Sequence, residues 1–76
     1  MKTLQIKLAT IEDVRNFVNT MSMSRIDADL KSGRYTVDAS SLMGIFSLDL
    51  LKPLDLVIHS DNCDKLLADI APYIVK

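Results

Sequence analysis

Two groups of residues have types and spacing that could do chemistry. The first is His59, Asp61, Cys63 and Asp64. Imidazole, carboxylate and thiol are all metal ligands, but this spacing matches no standard zinc or calcium pattern. It reads as the end of a strand running into a helix, with acids at the positive pole of the helix dipole. Cys63 has no second cysteine and no identifiable base beside it, so nothing assembles it into a nucleophile. The second group is Ser40 and Ser41, followed by Leu42-Met43-Gly44-Ile45-Phe46-Ser47-Leu48. A serine at a helix start accepts a hydrogen bond from a free backbone N–H. Phosphate at the same place would meet free N–H groups and the positive dipole end. Either serine could serve as the cap. Leu42, Met43, Ile45, Phe46 and Leu48 put apolar groups on more than one side of a two-turn helix, and docking on a core needs one stripe only. Leu42, Met43 and Phe46 are therefore candidate partner-binding residues, with Met43 or Phe46 left over for another protein. Gly33 and Gly44 are the only glycines, so there is no glycine-rich phosphate loop.

The elements that must position these residues follow from hydrophobic period. Residues 3–8 alternate strictly, with Leu4, Ile6 and Leu8 on one face, which predicts a half-buried strand. Thr10 reads as an N-cap, with Glu12 and Asp13 in the first turn of a helix over 11–21. Its apolar stripe is Ile11, Val14, Val18 and Met21, with Phe17 beside it. Ile26, Ala28 and Leu30 alternate with polar residues in a second strand, and Ser32-Gly33 predicts a hairpin turn. Tyr35 and Val37 then point inward from the third strand. A helix over 41–50 follows, stopped by Lys52-Pro53. The fourth strand covers 54–60, with Leu56 and Ile58 inward and Val57 and His59 outward. Asp61 or Asn62 caps a last helix whose buried stripe is Leu66, Leu67, Ile70 and Ile74. Pro72 ends or kinks it near Ala71. Strand, helix, strand, strand, helix, strand, helix, with one wet face per strand, predicts an α+β fold with an antiparallel sheet covered on one side.

Seventy-six residues make one domain, 1–76, with a core that must be used fully. Nine basic residues against ten acidic ones argue against nucleic acid or an anionic membrane as the main partner. A single cysteine fits a reducing cytoplasm. The alternating N-terminus lacks the apolar core of a signal peptide, and no apolar run approaches the roughly 20 residues of a membrane span.

The stretch Ser41-Leu42-Met43-Gly44-Ile45-Phe46-Ser47-Leu48 resembles the Ser-Ile-Met-Gly-Val-Met-Ser-Leu segment of the HPr family, the histidine-containing phosphocarriers of the bacterial sugar phosphotransferase system. Chain length, element order and the Val37-Asp38-Ala39 lead-in agree. The resemblance implies an open-faced β-sandwich, βαββαβα, with four antiparallel strands covered by three helices. It also implies that Ser41 aligns with the family's regulatory serine, the target of an ATP-dependent kinase. The family's other motif, Gly-x-His-x-Arg-Pro-Ala at the start of helix one, is replaced by Ala9-Thr10-Ile11-Glu12-Asp13-Val14. Thr10 occupies the histidine position, Glu12 the arginine position and Asp13 the proline position. The phosphoryl acceptor is gone and the local charge is reversed.

The expectation is a non-enzymatic regulatory or adaptor module without cofactor or metal. It would dock protein partners of the phosphotransferase system or its regulators through the 41–46 helix, as a monomer or weak homodimer. Two alternatives stand beside it: a phosphocarrier with a displaced acceptor, for which His59 is the sole histidine, and a ligand- or metal-binding protein reusing the scaffold through His59, Asp61 and Cys63. Sheet topology places His59 at the opposite end of the molecule from Thr10.

Overall fold

The structure, a computed structural model, describes residues 1–75. Eight elements follow one another: β1 (Lys2–Ile6), α1 (Ile11–Ser24), β2 (Ala28–Ser32), β3 (Tyr35–Asp38), α2 (Leu42–Phe46), β4 (Leu54–Ile58), α3 (Asp64–Asp69) and a 3₁₀ turn (Ala71–Tyr73). The four strands form one antiparallel sheet in the order β1-β4-β2-β3. Alternation along each strand sends Ile6, Leu30, Leu54, Leu56 and Ile58 to the face covered by the helices, where all are fully buried. The other face carries Thr3, Gln5, Asp29, Lys31, Thr36, Asp38 and Asp55, so it needs no cover.

From α1, Val14, Phe17 and Met21 are buried. Phe17 is wholly enclosed and meets Tyr73 edge-to-face, with ring centroids 6.0 Å apart at 85°. Such a pair contributes about 0.5–1.5 kcal/mol beyond area burial. α1 runs three residues past the predicted end at Met21. Ser24 closes it, donating its hydroxyl to the Met21 carbonyl at 2.7 Å and accepting from the Ile26 amide at 3.2 Å. Arg25 then turns left-handed, at φ 57°. Pro72 acts as expected: α3 stops at Asp69, and proline is the second residue of a 3₁₀ turn that begins at Ala71.

Several expectations fail for identifiable reasons. The hairpin turn is Gly33-Arg34, one residue later than predicted, with Ser32 paired to Tyr35. Gly33 has φ 60° and Arg34 does not, which is the pattern of a type II′ turn. Tyr35 is 72% exposed, not inward. It lies on the edge strand beside the hairpin tip, where the pairing of β2 with β4 has already ended at Lys31. Ile11 is 67% exposed: it is the first residue of α1, and the buried stripe begins at Val14. Val57 faces the open side as predicted yet is only 8% exposed. It sits in a central strand with Thr3 and Asp29 directly on either side. Neither Asp61 nor Asn62 caps α3; Cys63 occupies that position and no side chain satisfies the free amides. α2 ends at Phe46, not near Leu50. Ser47 and Leu48 donate to carbonyls three residues back, and the Ser47 hydroxyl takes the Gly44 carbonyl at 2.5 Å. That tightened last turn stops the helix well before Pro53.

Candidate docking face and the mouth of the first helix

At the start of α1, Thr10 is extended and its Oγ1 accepts from the Asp13 amide at 3.0 Å. The Asp13 carboxylate reaches back and accepts from the Ala9 amide at 3.1 Å. The pair resembles a capping box, with aspartate in the place usually held by glutamate and its bond made to the residue before the cap instead of to the cap itself. Glu12 lies exposed in the same turn. The amides that a helix mouth offers to an anion are thus partly taken, and two carboxylates stand beside them. The pairing of Ala9 with Asp13 was not foreseen; its signal was the Thr-x-x-Asp spacing.

At the start of α2, Ser41 is the cap, and its Oγ accepts from the Gly44 amide at 3.2 Å. Ser40 does something else. Its amide and hydroxyl both donate to Asp38 Oδ1, at 2.8 and 2.6 Å. The Ser40 hydroxyl, and after it the Ser40 amide, hold the Asp38 carboxyl below its ordinary range. The Ser41 amide donates to the Asp38 carbonyl at 3.0 Å, so Asp38 organises the approach to the helix from both its ends.

Ile45 anchors α2 and is wholly buried, while Leu42 is half-buried against the core. Met43 is 78% exposed and Phe46 38%. Two further apolar side chains were not singled out in this role: Ile11 at the start of α1, and Leu51, which is 85% exposed. The Lys7 ammonium donates to the Leu51 carbonyl at 2.7 Å, tying the loop after α2 to the chain just before Thr10. α1 and α2 are also in contact. The approach to the first helix and the loop that follows the second are therefore neighbours.

His59, Asp61 and Cys63 do not converge. His59 Nε2 lies 2.9 Å from Asp29 Oδ2 on the open face. Asp61 accepts from the N-terminal ammonium at 2.9 Å, and that contact lowers its pKa. Cys63 is buried. Among the described residues no three histidine, cysteine, aspartate or glutamate side chains are grouped to hold a metal ion. His59 follows Ile58, which pairs with Lys2, whereas Thr10 follows Ile6, which pairs with Leu54. The length of the strand separates them, about 13 Å for four residues at ~3.3 Å each.

No protein-family model matches the chain, and no curated protein matches it. Among solved structures it is similar to HPr-C-His from Thermoanaerobacter tengcongensis, with a TM-score of 0.78 and 22% identity, over 95% of this chain and 89% of that one. The sheet of four antiparallel strands under three helices has the HPr fold, an α+β open-faced sandwich.

Proposed function

We propose that this chain is a non-catalytic regulatory or adaptor module built on the HPr scaffold. It docks a protein partner of the phosphotransferase system, or one of its regulators, through α2, with Leu42, Met43 and Phe46 as contact residues. Phosphate on Ser41 is the switch. The observation that carries this reading is the exposure of Met43 and Phe46 on a helix whose cap is a serine. An exposed methionine is an adaptable contact for a partner surface. A phosphate on Ser41 would add about −1.5 to −2 charge at the edge of that patch.

Carriage of phosphate at the α1 mouth is not part of the proposal. Thr10 Oγ1 is engaged as a cap, and Glu12 and Asp13 stand beside it. Each carboxylate would repel an incoming phosphate by on the order of 1 kcal/mol near the surface.

The test is binding of wild type, Met43→Asp and Ser41→Glu to the HPr kinase and to the catabolite regulator. Wild type should bind at least one of them, and Met43→Asp should weaken that binding at least tenfold. If neither protein touches wild type, the reading fails. Incubation with phosphoenolpyruvate and the first enzyme of the system should add no phosphate by mass spectrometry; phosphate on His59 would reinstate a carrier.

A further inference from the structure

The two edges of the sheet are treated differently. Along β1 the chain's own last residues form a cover: the Val75 amide donates to the Gln5 carbonyl at 2.9 Å, the Lys7 amide to the Tyr73 carbonyl at 2.8 Å, and Ile6 bridges Ile74. Along β3 no described residue adds a strand. The phase of its hydrogen bonds is fixed. The Ala39 amide donates to the Ala28 carbonyl at 3.0 Å, so in the alternation of an antiparallel ladder Tyr35 and Val37 bond to β2, while Thr36 directs its amide and carbonyl outward and Asp38 its amide, the Asp38 carbonyl being held by the Ser41 amide. A two-residue hairpin closed by Ser32 and Tyr35 demands the same phase.

Read against its own reverse, this edge is self-complementary. With Thr36 opposite the Thr36 of a second copy, Tyr35 faces Val37 and Arg34 faces Asp38, each twice by symmetry. Those are a threonine pair, two aromatic–β-branched pairs and two opposite-charge pairs, the combinations that stabilise antiparallel neighbours. Centring the axis on Asp38 would oppose two aspartates and centring it on Arg34 two arginines; centring it on Tyr35 or Val37 repels nothing but leaves Arg34 and Asp38 apart, so the Thr36 axis is the one in which both charges find a partner. Arg34 is exposed and makes no ion pair among the described residues. Asp38 is fixed in place by Ser40. The Tyr35 ring, largely in water in the single chain, gains a neighbour.

We propose that a second copy of this chain pairs antiparallel along β3 about Thr36, giving an isologous dimer with a continuous eight-stranded sheet. The strand is short, so the association is weak, and salt weakens it further by screening the Arg34–Asp38 pairs.

Sedimentation from about 10 μM to 1 mM, the range in which a small interface becomes populated, reads the result. The apparent mass of wild type should climb from one chain toward two, and less so in high salt. Thr36→Pro removes an outward amide without taking a bond from the β2–β3 ladder, and should hold the mass at one chain with the unfolding midpoint little changed. Arg34→Glu should do the same and decides the matter alone if the proline variant fails to fold. A wild type that stays at one chain at 1 mM, or a dimer that survives Arg34→Glu, overturns the proposal; the second outcome would move the contact to the apolar side of α2.

Discussion

A methyl group on the α-carbon of Gly44 would lie 3.1 Å from Cβ of Val37. The same methyl would be 3.0 Å from Ser41 Oγ and 3.3 Å from Ser41 Cβ. Glycine here is a matter of close approach: α2 presses its backbone onto β3. Alanine would gain about 1 kcal/mol of helix propensity. Against that, both β-carbons are fixed to backbone that cannot swing aside, and overpacking of this kind costs about 1–3 kcal/mol. Gly44→Ala should therefore lower stability by about 1 kcal/mol in urea unfolding and loosen the Ser41 cap.

Met43 tests the docking face without disturbing the fold. Its side chain stands in water, so Met43→Asp should change stability by no more than about 0.5 kcal/mol. Any large loss of partner binding in that variant is then a loss of contact surface. Circular dichroism melts run beside the binding assay check this.

Acid should weaken the approach to α2. Asp38 has its folded pKa depressed by Ser40. A depressed carboxyl contributes stability above its unfolded value, about 3.9, and loses it as pH falls through the folded value. Asp38→Asn should consequently be destabilising at neutral pH, and the gap between variant and wild type should close progressively below about pH 4. The carboxyl is exposed, so the gap is small at every pH. Paired urea titrations across that range give the sign.

Two left-handed residues offer opposite outcomes. Arg25 closes α1 at φ 57° with a side chain that this conformation disfavours, and Gly33 turns the hairpin at φ 60° with open space around it. Arg25→Gly should raise stability by about 0.5 kcal/mol, the relief of left-handed strain exceeding the entropy added to the unfolded chain. Gly33→Ala should lower it by about 1 kcal/mol from backbone strain alone. Thermal melts of the two variants should shift in opposite directions.

The order of elements and most inward rows were legible because period two and period 3.6 separate cleanly in residues such as Leu4-Ile6-Leu8 and Val14-Met21, although Phe17, read as lying beside the α1 stripe, fills its centre while Ile11 is exposed and Val18 half-buried. The cap role of Thr10 followed from residue type and the acids after it. What escaped depended on neighbours. Tyr35 has strand alternation but an edge position with nothing above it, and Val57 has an outward position but neighbours on both sides. Ser40 and Ser41 are chemically alike, and only the position of Asp38 distinguishes the one that caps from the one that braces. That Leu51 lies against the chain before Thr10 depends on the Lys7–Leu51 bond, which joins residues 44 positions apart.

β4 comes fourth in the chain but lies second in the sheet, hydrogen-bonded to β1 on one side and β2 on the other. During synthesis the first fifty residues thus hold a lone strand and a separate hairpin that cannot join. The gap closes only when Leu54–Ile58 leaves the ribosome. Folding must then be largely all-or-none and late, with Leu56 meeting Leu4 and Leu30 in one event.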